Sequence, residues 1–317
     1  MNTTFIKTIF RSSTSYYASM IVWTMVSLSC NKENNSPLSF EPAVIEFPLA
    51  KVYDSVKVTT DITVADYFNY IDSIQTAYDS ITPFELTEHL LVRSNPWIID
   101  TLQCTDYYRM IAKDSFVYDQ TQMVVIPKGA RLLIPDSTMA RDLLYDFEKT
   151  LIDVNLPEFK LRILRDSVLV HDFPIRVGRY QKKYLEMSGR IEDLRTKTGT
   201  GSIVGYNLDP RYVNPANNHE YYVTRRDDDS VTKLPRIPFI ETEINGMRYG
   251  QMIHPTTNPE TLGKAYSNGC IGTKEGDAWV IYYNAPLGTK INIRYDLEVL
   301  DNNGDSLVLE DIYNKRK

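Results

Sequence analysis

The sequence predicts an α+β fold, with a mixed α/β N-terminal domain followed by a mainly-β C-terminal domain. Two observations carry that expectation. Apolar residues spaced by three and four over 63–81 describe an amphipathic helix. From about residue 152 the pattern changes to strict alternation, beginning with Phe159, Leu161 and Ile163 on one face, and strand-like runs recur to the C-terminus. At 317 residues, 43% hydrophobic and 24% charged, the chain has ordinary globular composition and room for two modest domains.

Taken in order, residues 1–30 read as an export signal. Lys7 and Arg11 precede the apolar run "ASMIVWTMVSL", which is too short to cross a bilayer comfortably and ends in small residues before Cys30. Residues 31–45 are a polar linker. The domain 46–148 opens with the 63–81 helix, for which Thr63 is the expected N-cap. A shorter helix at 87–102 is interrupted near Pro96, two short strands flank a Pro-Lys-Gly turn at 123–135, and a helix at 139–151 joins the halves. The stretch "KGARLLIP" within this domain resembles the last part of LysM peptidoglycan-binding modules, which makes wall binding one reading of the region.

The second domain spans 149–312. Strands are expected at 159–163, 168–178, 221–226, 236–244, 248–254 and 289–300, with a turn at Asp166-Ser167. "NNGDS" (302–306) signals a C-terminal hairpin. "KEGDAWVIYYN" (274–284) reads as a short helix, and Asp227-Asp228-Asp229 as a solvated hairpin turn.

Composition excludes several functions. A formal net charge of −6 offers no basic stripe for nucleic acid. Three cysteines, Cys30, Cys104 and Cys270, do not make a disulfide framework, and the four histidines show no metal-ligand spacing. His89, His171 and His219 are expected at the surface or in packing, and Cys104 as a half-buried small hydrophobe. "KTGTGS" (197–202) lacks the spacing of a phosphate loop and is assigned to a cleft rim.

Cys270 stands apart. It sits in a tight turn, "AYSNGCIGT", and His254 lies sixteen residues upstream at the end of a strand. A thiol needs a nearby base or cation to act as a nucleophile at neutral pH. A Pro-, Asn- and Gly-bearing loop between the two residues suits a return that brings them together. Gly269 lets the backbone approach a substrate, and its N–H is the expected oxyanion donor.

The arrangement His254, a loop, then Ser267-Asn268-Gly269-Cys270-Ile271 resembles the signature of the YkuD family of L,D-transpeptidases. In that family a histidine precedes Ser-His-Gly-Cys, a hydrophobic residue and Arg or Asn. "FKLRILRDSVLVHDFPIRVGR" is similar to the family's opening hairpin, "RTKTGTGSIV" to its rim loop without the proline, and "LGTKINIRYD" to its closing strand. Two positions depart: Asn268 replaces the histidine before Gly-Cys, and Gly272 replaces the Arg or Asn.

The resemblance implies a YkuD-like catalytic domain acting on peptidoglycan stem peptides in cell-wall biogenesis. Cys270 would be the nucleophile and His254 the general base, oriented by a backbone carbonyl. Ser267, Asn268, Gly272 and Tyr249 are expected to contact substrate. No cofactor and no metal are expected, and the chain is expected to be a monomer. The ending "SLSC" resembles a bacterial lipoprotein signal, with Cys30 as the lipid attachment, although Ser27 stands where leucine is usual. A plain cleaved signal or an uncleaved anchor is the alternative. Each places the protein outside the cytoplasm, and the lipoprotein reading places it on the periplasmic side of a diderm envelope. A hydrolase acting on the same peptides and a catalytically silent wall-binding lipoprotein are the competing functions.

Overall fold

The alternating segments between residues 150 and 294 pair into one eight-stranded sheet. The computed structural model describes residues 55–300 and 303–316. The signal segment with Cys30, the linker and residues 46–54 lie outside the described residues.

The sheet strands are β1 (Thr150–Asn155), β2 (Lys160–Arg165), β3 (Val168–Pro174), β4 (Gly199–Asn207), β5 (Phe239–Ile244), β6 (Met252–Pro255), β7 (Ile271–Thr273) and β8 (Lys290–Arg294). They are ordered β7-β6-β5-β4-β8-β1-β2-β3. The β7–β6 and β8–β1 pairs are parallel, and the other pairs are antiparallel. Alternation places Ile152 and Val154, Leu161 and Ile163, and Ile291 and Ile293 in the core. The β2–β3 turn is tight because Asp166 and Ser167 both adopt positive φ, 46° and 66°.

The sheet nearly closes on itself. Beyond β3 the chain reaches the opposite edge, where Arg176 and Gly272 exchange both backbone hydrogen bonds at 2.9 Å. Val177–Gly178 then pairs with Ala265–Ser267. Closure satisfies edge groups that would otherwise be left unpaired, and the seam falls at the cysteine turn.

The N-terminal region contributes α1 (Tyr67–Asp79), α2 (Glu88–Arg93), α3 (Trp97–Gln103), α4 (Tyr107–Ile111) and α5 (Ser137–Glu148). The helix α6 (Glu275–Asn284) leaves β7 almost directly, and all ten of its residues are buried. It is buried around its whole circumference because the sheet covers one side and α2 and α3 the other. Tyr67, Phe68, His89, Tyr206, Trp279, Tyr282 and Tyr283 form an aromatic cluster across this boundary. Tyr282 and Tyr283 donate to Glu88 at 3.1 and 2.8 Å. Burial pushes the Glu88 carboxyl up to about 7, against the pull of those two hydroxyls.

A second node fixes the start of α6. Arg226, fully buried, pairs with Glu275. Its other nitrogens donate to Thr232 (2.8 Å) and Gln120 (3.1 Å), and its guanidinium covers the Tyr107 ring at 4.5 Å. Glu275 also accepts from Gln120 and the Tyr107 amide, at 2.7 and 3.1 Å.

Several expectations are corrected. Thr63 ends a short strand, Ile62–Thr63, and the N-cap position of the helix falls at Asp66, whose side chain makes no capping hydrogen bond. Residues 199–207 form β4, a strand in the middle of the sheet, so the stretch assigned to a rim is structural for most of its length. The strands Val124–Ile126 and Arg131–Leu133 exist but pair with Ile62–Thr63 and Ser55–Lys57, not with each other. Cys104 is exposed at the C-cap of α3. Asp227 and Asp228 are anchors: Asp227 accepts from Asn258 and the Glu260 amide, and Asp228 from the Tyr107 hydroxyl. Among the described residues no helix is long and apolar enough to cross a membrane, and no group of three or more His, Cys, Asp or Glu is arranged to hold a metal ion.

Candidate active site

Parallel pairing of β6 and β7 sets Ile253 opposite Ile271 and His254 opposite Gly272, so Cys270 enters β7 beside the His254 strand. A parallel pair requires a crossover connection. Residues 256–270 provide it, with a single 3-10 turn at Pro259–Thr261 and the strand Ala265–Ser267.

The turn before Cys270 is held by hydrogen bonds. The buried Ser267 hydroxyl donates to the Cys270 carbonyl at 2.6 Å and accepts from the Gly269 amide at 3.2 Å. Gly269 has φ of +117°, a conformation that an L side chain strains to adopt. Thr196 donates its hydroxyl to the Gly269 carbonyl at 2.9 Å and accepts from the Gly178 amide at 2.8 Å. Behind it, the buried Tyr313 hydroxyl donates to the Gly178 carbonyl (2.6 Å) and accepts from the Thr196 amide (3.2 Å). The C-terminal tail thereby braces the cysteine turn through two relays.

His254 is oriented from two sides. Its Nδ1 lies 2.9 Å from the Pro255 carbonyl, which only accepts, so Nδ1 carries the proton and Nε2 the lone pair. Phe239 stacks on the ring with centroids 4.6 Å apart. Burial, followed by the Arg176 guanidinium, pushes the imidazole down to about 4, and the Pro255 bond only partly opposes this. The ring is therefore neutral at pH 7. Burial pushes the Cys270 thiol up, while the Met252 amide on the sulfur and Arg176 pull it down. The thiol also lies 4.0 Å from the Gly250 carbonyl. Both side chains keep partial solvent access.

The structure thus sets Cys270 at the entry to the strand paired with that of His254, and the Arg176 charge acts on both. No hydrogen bond joins them: Nδ1 faces Pro255, and the sulfur is held by Met252 and Gly250. Tyr249 is exposed in the loop entering β6, one residue from Gly250. Asn268 is exposed and accepts from Arg179 at 3.2 Å.

Three expected roles change. The Gly269 amide is already bound to Ser267, so it is not a free oxyanion donor. Ser267 is buried with its hydroxyl engaged inside the turn, so it shapes the turn and is closed to substrate. Gly272 is buried and uses both backbone groups on Arg176, leaving nothing for a substrate. Arg176, Thr196, Met252 and Tyr313 were not singled out from sequence. Only Arg176 carries a local signal, a cation in the segment leading from β3 to the seam.

A cavity of about 600 Å³ lies past the end of β6, lined among others by Tyr108, Asp227, Thr256, Pro259, Glu260 and Lys274. Neither His254 nor Cys270 lines it.

Residues 149–293, just under half of the chain, match the model of the YkuD L,D-transpeptidase catalytic domain. No curated protein matches the chain. Among solved structures, an L,D-transpeptidase from Mycobacterium smegmatis is 14% identical over 46% of this chain and 58% of its own, with a TM-score of 0.32. This chain therefore covers less than two thirds of that protein. L,D-transpeptidase 3 from Mycobacterium tuberculosis, in complex with a faropenem-derived adduct, is 16% identical over 46% of this chain and 60% of its own, at 0.30. The L,D-transpeptidase from Xylanimonas cellulosilytica is 11% identical over 76% of this chain and 98% of its own, at 0.34. Residues 149–293 are thus similar to the YkuD L,D-transpeptidase catalytic domain.

Proposed function

We propose that this protein is a cysteine-dependent L,D-transpeptidase that cross-links peptidoglycan stem peptides. The observation that carries the reading is His254 fixed with Nε2 unprotonated on the strand paired with the cysteine turn.

At rest the pair is a neutral thiol and a neutral imidazole. As the sulfur attacks the peptide carbonyl of a donor stem, its proton passes to His254 Nε2. With the Gly269 amide engaged by Ser267, the Cys270 amide serves as the oxyanion donor in its place. The tetrahedral intermediate collapses by breaking the C–N bond, and imidazolium returns the proton to the departing amino acid. A thioester on Cys270 remains. The amine of a neighbouring stem attacks it, the thiol leaves, and a cross-link forms. Tyr249 and Asn268, both exposed beside the turn, contact the stem. The protein works as a monomer outside the cytoplasm, on the periplasmic side, held by lipid on Cys30.

Incubation with a stem tetrapeptide followed by intact-protein mass measurement tests the reading. A tripeptidyl adduct is expected on the wild type and none on Cys270→Ala. New dimeric muropeptides identify transfer. Shortened monomers alone would assign hydrolysis, and a folded protein with no adduct would remove the enzymatic reading.

A further inference from the structure

Gly272 is the position where the site departs most from the family pattern, and the structure shows what occupies the space. A Cβ built on Gly272 would lie 2.5 Å from Arg176 Nε, 2.7 Å from its Cγ and 3.0 Å from its Cδ. These contacts are too close for any side chain, so glycine here is the condition for Arg176 to cross β7. The backbones are locked at the same point by the paired 2.9 Å hydrogen bonds. The guanidinium is therefore delivered across the residue that lies opposite His254 and two places after Cys270.

Arg176 is not used up by other partners. One terminal nitrogen donates to the Thr261 hydroxyl at 3.2 Å. Its Nε is buried without a hydrogen-bond partner. Among the described residues it makes no ion pair with a carboxylate, because the nearby Asp227 is held by Asn258 and the Glu260 amide. Charged or titratable groups around it are Cys270, Tyr266, Arg179, Asp227 and His254. Arg179 is turned to the Ser267 carbonyl, to Asn268 and to the Tyr266 ring. Arg176 is half-buried, and a cation whose inner nitrogen is buried without a partner is costly to keep. The anion this one can meet is the thiolate.

We propose that Arg176 is the electrostatic partner of Cys270, carried over Gly272 so that its guanidinium holds the anionic sulfur during acyl transfer. It acts as a positioning residue on the nucleophile. Its meaning in catalysis rests on the acyl-transfer reading, but its effect on the thiol does not.

Alkylation of Cys270 by iodoacetamide, followed as a function of pH and located by peptide mapping, tests this without any substrate. Arg176→Gln should move the alkylation profile to higher pH and slow the reaction at pH 7.5 by roughly tenfold, since an adjacent opposite charge shifts such a group by about one to three units. Arg176→Lys should restore most of the rate. The double variant Arg176→Ala/Gly272→Arg should also recover it, because removing the Arg176 side chain clears the space a residue at 272 needs. A profile unchanged in Arg176→Gln, or slowed equally in Arg176→Gln and Arg176→Lys, overturns the proposal and leaves the transpeptidase reading standing. Normal charge dependence with no adduct from stem tetrapeptide would instead overturn that reading and leave the role of Arg176 in place.

Discussion

Two arginines, one over the middle of β7 and one just past its end, are treated in opposite ways. Arg226, beside Glu275 just past β7, has a carboxylate, a hydroxyl, an amide oxygen and an aromatic face around it. Arg176, over Gly272 within β7, has one hydroxyl and a buried nitrogen with no partner. Arg226 is fully buried and Arg176 half-buried, and only the first is paired with a carboxylate inside the protein. The contrast separates a staple from a working group. A fully paired charge fixes the position of α6 and the N-terminal helices against the sheet. An incompletely paired one keeps its field available to the sulfur.

Breaking the staple should have the largest effect on stability. Glu275→Ala leaves Arg226 buried and uncompensated and should cost about 3–5 kcal/mol in urea denaturation. Arg176→Gln should cost about 1 kcal/mol or less, because no buried carboxylate is orphaned. Equal losses in the two variants would erase the distinction.

Next in size is the turn that presents the thiol. Gly269→Ala forces a side chain into φ of +117° and should cost about 1–3 kcal/mol, with slower acylation of Cys270. Tyr313→Phe removes the hydroxyl that ties the tail to Gly178 and Thr196, and about 1 kcal/mol is expected. Denaturant midpoints read beside acylation rates check both.

The joint between the N-terminal helices and α6 predicts a pH effect. Glu88 has its carboxyl raised to about 7 in the folded protein, above its ordinary value of 4.5. A raised carboxyl favours folding while protonated. Its contribution is complete below about pH 4.5 and is lost as pH rises to about 7. The urea midpoint should therefore show a falling component across that window, and Glu88→Gln should flatten it. The smallest effect is expected from Tyr249→Ala: its exposed ring should change the KM for stem peptide and leave stability within about 0.5 kcal/mol.

Much of the fold was legible because burial writes a period into the chain. Leu161 and Ile163 mark β2, with Phe159 falling in the turn before it at φ of 55°, and the Asp166-Ser167 turn marks the hairpin. Two of the strands missed from sequence, β1 and β4, failed for physical reasons. In β1 the apolar pattern runs on from the preceding helix, so Thr150 and Leu151 read as its end. In β4, "GTGSIVGYN" is rich in residues of low strand propensity, and its place is decided by the strands on either side. Cys270 and His254 were legible because a rare residue type sits in a constrained turn. Thr196, Tyr313 and Arg176 were not, since each reaches the turn from a distant segment through backbone contacts that no local pattern records. The Gly269 amide, expected as a free donor, is engaged because the hydroxyl two positions earlier accepts from it.

The most direct test of acyl transfer at Cys270 is the intact mass of the protein after exposure to stem tetrapeptide. A gain equal to the tripeptidyl acyl group, mapped to Cys270 and absent from Cys270→Ala, is the predicted result. A correctly folded wild type that gains no mass, or gains it at another residue, would contradict the account.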